Sequence, residues 1–185
     1  QIKELKARIF QIVHGVITHY KEHVQSTLTP LQEAYHSGLE TGNFEYATLS
    51  ATTYAMHAYL VGKDLTTLER EIAVYTESFL QLKQEASLHL NHIYWQAILN
   101  LRGYTENGHR LLGDAYNEEV MLPIHQQAQA RGIIFQVYIH KLILSYLFRK
   151  YAEAFENANL AEKYIDAVIG SMLVPLFHYY DSLAR

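Results

Sequence analysis

The stretch Leu65-Thr66-Thr67-Leu68-Glu69-Arg70-Glu71-Ile72-Ala73-Val74-Tyr75-Thr76-Glu77-Ser78-Phe79-Leu80-Gln81-Leu82 decides the class of the fold. Leu65, Leu68, Ile72, Tyr75, Phe79 and Leu82 recur at alternating intervals of three and four residues, which places them on one face of an α-helix. Thr66 followed by Glu69 reads as a capping box at its start.

The same periodicity extends in both directions. Upstream, Ile2, Leu5, Ile9, Ile12, Val13, Val16, Tyr20 and Val24 share one face of a helix roughly 36 Å long, a face that neighbouring helices must cover. A second helix carries Pro30 in its first turn, buries Leu31, Ala34, Tyr35 and Leu39, and stops at Gly42. Asn43 is placed to cap a third, which runs through Ala47, Ala51, Tyr54 and Ala58 to Gly62. Downstream, helices are expected at about 86–101, 117–131 around Pro123, 133–149, 152–169 and from Pro175 onward. Gly103, Asn107, Gly108 and Gly113 mark the longest irregular stretch. No segment alternates with the period of two that a strand needs. The expectation is an all-α fold of about nine helices, joined as antiparallel hairpins, in one domain spanning 1–185.

Composition excludes several function classes. No cysteine occurs among the 185 residues, which removes disulfide frameworks, thiolate metal sites and cysteine nucleophiles. A formal net charge of −4, with basic residues scattered along the chain, offers no footprint for nucleic acid. The greasiest segment, Ile133 to Phe148, carries Gln136, His140, Lys141 and Ser145 and is not a membrane span. The chain starts at Gln1 without a signal-peptide pattern, and the reading is a cytoplasmic segment of a longer protein.

Histidine chemistry is the obvious alternative, with 11 histidines. His19 and His23, and His89 and His92, have helical spacing, but neither pair has the further ligands that zinc requires, so no metal site is assigned. No histidine is followed by the acidic, aliphatic and basic residues of a phosphoacceptor helix. Kinase loops and phosphate-binding glycine motifs do not occur. Glu118 and Glu119 read as acids at a helix N-terminus, favourable to its dipole, rather than as a catalytic pair. Neither catalytic residues nor a cofactor are assigned.

Gly42-Asn43-Phe44-Glu45-Tyr46-Ala47, with Ala51 beyond, resembles the turn between the two helices of a tetratricopeptide repeat, and Tyr151-Ala152-Glu153-Ala154, with Ala158, Ala161 and the earlier Tyr138, resembles it again. Small residues there let two helices approach closely while aromatics fill gaps between hairpins. Tyr35 replaces a usual small residue and Arg149 the usual inter-helix glycine, so the array is read as tetratricopeptide-like and irregular.

Gly38 to Ala47, Leu112 to Glu119, Met121 to His125 and Val174 to Ala184 are similar to the helical middle region of very large bacterial signalling proteins. Those proteins combine a serine/threonine kinase, an ATPase module, a GAF sensor and a histidine kinase. The resemblance implies a non-catalytic scaffold or linker; the partners expected are other proteins or neighbouring domains of the same chain, with a homo-oligomer as a further possibility. The alternative is a small-molecule sensor with a pocket lined by Tyr94, Trp95 and Tyr138.

Overall fold

Helix ends, more than helix interiors, set this architecture. The computed structural model describes residues 2–185, with side chains from Leu5 onward. Among these residues the fold is all-α, with nine α-helices and no strand: α1 (Ile2–Ile12), α2 (Leu28–Thr41), α3 (Phe44–Leu60), α4 (Leu65–Gln81), α5 (Glu85–Leu101), α6 (Glu118–Gln127), α7 (Arg131–Leu147), α8 (Tyr151–Glu162) and α9 (Leu173–Ala184). The chain forms two compact units, Gln1–Asn91 and His92–Arg185. The uniform composition that suggests one domain carries no mark of this division, because it falls inside α5 rather than in a linker.

The same left-handed residue ends successive helices: Gly42, Gly62, Lys83, Gly103, Gln129 and Arg149 all have positive φ, between 52° and 79°. The amide of the following residue bonds five residues back: Asn43 to Gly38 O at 2.8 Å, Lys63 to Ala58 O at 3.0 Å, Gln84 to Phe79 O at 3.0 Å, Tyr104 to Leu99 O at 3.0 Å, Ala130 to His125 O at 2.9 Å and Lys150 to Ser145 O at 2.8 Å. This closure satisfies a terminal carbonyl that would otherwise lack a partner. Asn43, Gln84, Ala130 and Lys150 then accept, through their own carbonyls, the first amide bond of the next helix, from Ala47, Leu88, Ile134 and Ala154. One residue thus closes one helix and opens another. Arg149 stands where the repeat usually has glycine and adopts the glycine conformation, at φ 61°. Asn43 occupies the N-cap position, but its ψ of 67° is not the extended cap geometry and its side chain caps nothing. Asp64, with ψ at 122°, does cap: its Oδ1 accepts from the Thr67 amide at 2.9 Å, so the cap of α4 lies two residues before Thr66.

In the first unit, Leu31, Ala34, Tyr35 and Gly38 of α2 and Ala47, Ala51, Ala55 and Ala58 of α3 are buried where the two helices pack. A Cβ added to Gly38 would stand 2.7 Å from the Ala47 Cβ and 2.9 Å from Asn43 O. On α4, Leu68, Ile72, Tyr75 and Phe79 are buried as expected. Asn91 of α5 donates to Ile72 O at 3.0 Å and Thr76 Oγ1 at 2.8 Å.

The first helix departs from expectation. It ends at Ile12 and gives way to a π turn (Val13–Ile17) and two 3-10 turns (Thr18–Tyr20 and Val24–Thr27). Ala7, Gln11, Gly15 and Thr27 are buried along this segment, and α1 packs on α2 and α3, so Leu5, Ile9, Ile12 and Val16 are left exposed. The cause is close approach: a Cβ on Gly15 would lie 3.2 Å from Thr53 Cγ2, so the small-residue face goes inward and the aliphatic face outward. The expected place of Ile2 in that stripe lies outside the described side chains.

In the second unit α7 is central, with Ile134 to His140 and Leu142 to Ser145 buried. Ile93, Ala97, Leu111, Tyr116, Val137 and Leu144 form its core, while Ala154, Ala158 and Ala161 of α8 and Phe177 of α9 are buried beside it. Helix α6 is shorter than expected because Gln129 turns left-handed. Helix α8 stops at Glu162, where Arg131 donates to Lys163 O at 3.0 Å, and a 3-10 turn at Ile165–Val168 replaces its expected last turns.

Lys83→Gly, Gln129→Gly and Arg149→Gly each raise unfolding stability by about 0.5–1 kcal/mol in urea titrations, because glycine carries no left-handed penalty. Gly38→Ala lowers it by about 1–3 kcal/mol through overpacking against Ala47 and Asn43.

Candidate functional site

Between α5 and α6 the chain runs without an α-helix, and polar side chains hold it in place. Gln96 and Asn100, one turn apart on α5, are both fully buried. Gln96 Nε2 donates to Asn100 Oδ1 at 2.9 Å, and its Oε1 accepts from the Tyr116 amide at 3.1 Å. Asn100 Nδ2 donates to the carbonyls of Gly108, at 3.1 Å, and Arg110. Gly113 donates to Tyr116 O at 3.1 Å, which folds the loop tightly, and a Cβ on Gly113 would stand 2.6 Å from Gln96 Nε2. Helix α5 thus holds the loop at Gly108 and Arg110 and, within the Leu112 to Glu119 stretch singled out by resemblance, at Tyr116.

Glu118 completes the latch. Its side chain is 3% exposed, and Oε1 accepts from Arg110 Nη2 at 2.9 Å, Arg110 Nε at 3.1 Å and Lys141 Nζ of α7 at 3.0 Å. Its Oε2 accepts from the Leu111 amide at 3.2 Å. The hydrogen bonds that Arg110 donates to Glu118 do most to hold its guanidinium above its ordinary pKa, with Glu119 adding to them at 3.2 Å. Glu118 is thus a buried anion joining loop, α6 and α7, not only an acid favourable to a helix dipole. Asn117 is the residue that caps α6, accepting from the Glu119 amide at 2.9 Å. Sequence reasoning missed Gln96 and Asn100; the available signal was two amide side chains at i and i+4 in the otherwise apolar stretch Ile93 to Leu101.

A cavity of about 550 Å³ opens between this loop and α5, lined by Gln96, Leu99, Tyr104, Thr105, Glu106, Asn107, Leu112, Gly113 and Asp114. A second, of about 340 Å³, is lined by Gln126, Gln129, Arg131, Ile134 and Tyr164. Tyr94, Trp95 and Tyr138 line neither. Tyr94 is buried with its ring edge-on to His140 at 4.6 Å, Trp95 lies beside His92 with ring centroids 6.5 Å apart, and Tyr138 stacks on Tyr164 at 6.2 Å.

The repeat residues divide by size except Tyr138, which is large and buried. Ala47, Ala51, Ala154, Ala158 and Ala161 are fully buried, and Gly42 has the left-handed conformation. Phe44 and Tyr151 are 38% and 53% exposed. Tyr151 sits edge-on to Tyr146 at 5.7 Å, on the outside of its hairpin.

His19 and His23 separate because the first helix breaks, whereas His89 and His92 remain three residues apart on α5. His23 accepts from the Gln25 amide at 3.2 Å and caps the following 3-10 turn, while His19 lies with its ring 6.2 Å from that of buried His57. Among the described residues no group of three or more His, Cys, Asp or Glu side chains could hold a metal. Among them also, no helix is long and apolar enough to cross a membrane.

No family model matches this chain, and no curated protein or solved structure does so either.

Glu118→Gln costs about 3 kcal/mol of unfolding stability, since it leaves the largely buried Lys141 without its anion and Arg110 with only the exposed Glu119. Glu119→Gln changes stability by less than about 1 kcal/mol. Burial pushes His57 and His140 down to about 4 from 6.5, a direction to which nearby His19 adds for His57. Their folded pKa values lie below the unfolded ones, so the unfolded chain binds protons first. Stability is then complete above about pH 6.5 and is lost as pH falls toward 4, by roughly 3 kcal/mol per histidine at the limit. Denaturant titrations between these pH values measure the loss, and His140→Phe removes its share.

Proposed function

We propose that this chain is a non-catalytic helical scaffold or linker module of a multidomain signal-transduction kinase, making contacts with other proteins or with neighbouring domains. The resemblance of its quoted stretches to the helical middle region of such kinases supports the signalling context. The observation that carries the scaffold reading is the sorting of side chains by size. Alanines occupy the buried seams of α2–α3 and α7–α8, while the exposed surface retains Phe148, Tyr151, Phe155, Tyr179 and Leu183. Exposed aromatics on a rigid helical support are what a partner surface requires. The polar groups that would draw attention as catalytic are engaged in structure: Glu118 with two cations, and Glu71 with Lys63 at 2.6 Å and with the Tyr54 hydroxyl at 2.9 Å.

Purified chain incubated with ATP is expected to show neither turnover nor autophosphorylation; activity abolished by a substitution within these residues overturns the reading. The gene sequence on both sides tests the context, with kinase and ATPase modules expected before this segment and GAF and histidine-kinase modules after it. A Tyr151→Ser, Phe155→Ser variant is expected to keep its helicity and lose at least about tenfold in affinity for those adjoining modules.

A further inference from the structure

The cavity of about 550 Å³ between α5 and the loop has a charge character that the latch beside it does not explain. Glu106 and Asp114 are the charged residues of its wall, and both are acidic, while Leu99, Leu112 and the Tyr104 ring supply its apolar part. Neither carboxylate is paired with a cation among the described residues. The nearby cations are committed elsewhere: Arg110 and Lys141 to Glu118, and Arg102 to Tyr104, whose hydroxyl it reaches at 3.0 Å and over whose ring it lies at 4.8 Å. Thr105 adds a second, independent signal. Its Oγ1 is buried in the cavity wall and has no hydrogen-bond partner, a costly state for a hydroxyl that a bound group would relieve.

The backbone that carries these groups is tied down before any ligand arrives, which lowers the cost of binding. The Tyr104 amide bonds to Leu99 O at 3.0 Å, Asn107 O beside Glu106 accepts from the Arg110 amide at 3.0 Å, and Gly113 beside Asp114 donates to Tyr116 O at 3.1 Å. The volume falls within the roughly 300–1,000 Å³ of small-molecule sites and far exceeds what a bare ion fills. A metal is also excluded by its ligand requirement, since among the described residues no three His, Cys, Asp or Glu side chains could hold one. An anion would meet two carboxylates, and a purely apolar molecule would leave them and Thr105 unsatisfied. The class that meets every group is an organic cation with a short carbon chain, whose ammonium hydrogens are donors for carboxylate and hydroxyl oxygens.

We infer that this cavity binds a small aliphatic amine, which donates its ammonium hydrogens to Glu106, Asp114 and the Thr105 hydroxyl oxygen and lays its carbon chain on Leu99 and Leu112. Every residue of the site belongs to the second unit, and the assignment does not rest on the scaffold reading.

Isothermal titration of the chain with the diamine putrescine at low ionic strength is expected to show one site with a dissociation constant at or below about 1 mM, and no binding of the diol or the dicarboxylate of the same length. Glu106→Gln combined with Asp114→Asn raises that constant by at least about tenfold with unchanged helicity, since both side chains are exposed. Glu77→Gln combined with Glu156→Gln removes two exposed acids elsewhere and leaves it unchanged. Thr105→Val keeps the shape and the net charge and raises it about fivefold through one lost hydrogen bond. No binding of putrescine, equal binding of the diol, or a loss as large in the Glu77 and Glu156 variant as in the Glu106 and Asp114 variant overturns the proposal. So does binding of calcium in place of putrescine, which would make the two carboxylates a metal-ion site.

Discussion

The joint between helices governs this molecule. Where Asn43, Ala130 or Lys150 closes one helix with its amide and opens the next with its carbonyl, there is no free loop to absorb a change of direction. The second helix of the pair must lie along the first, at a distance fixed within a residue of the turn. Side chains near the joint must then be small, which is why Gly38 meets Ala47 and why alanine recurs on α3 and α8. Core volume is filled further from the joints by larger groups such as Tyr54, Phe79 and Phe135. Backbone hydrogen bonding thus dictates composition, and not only the reverse.

The connection between α5 and α6 lacks this economy and is organised differently. After Gly103 the chain does not re-enter a helix at once, and the backbone groups of the loop need other partners. Gln96 and Asn100 supply them from α5, and Glu118 draws Arg110 and Lys141 together from the far side. Burying a carboxylate between two cations is costly to form and of small net benefit against an apolar alternative, but once formed it admits few rearrangements. The loop is therefore defined by polar contacts where the hairpins are defined by packing.

How much of this was legible depends on what periodicity encodes. The helices of the middle and end of the chain are readable because three-and-four spacing reports a face directly, and Gly42, Gly62 and Gly103 announce their own turns. Lys83, Gln129 and Arg149 do not, since their left-handed conformation is imposed by the closing hydrogen bond rather than favoured by the residue. Spacing also reports that a face exists without saying what it meets: the aliphatic stripe of α1 was read correctly as a stripe and wrongly as buried, because Ala7, Gln11 and Gly15 fit closer to α2 and α3. Glu118 was legible as an acid at a helix start, but its two cations come from residues eight and 23 positions away, and no local rule connects them.

The left-handed residues fall at 42, 62, 83, 103, 129 and 149, about 20 apart except where the latched loop intervenes. Since each hairpin joint reverses the chain, the joints set the size of change the gene can tolerate. Loss or gain of a single helix with its joint would send everything after it in the opposite direction, whereas a pair, roughly 40 residues, would restore the heading. Insertions and deletions in such a chain should therefore be counted in helix pairs, and a breakpoint placed inside one of these joints would damage two helices at once.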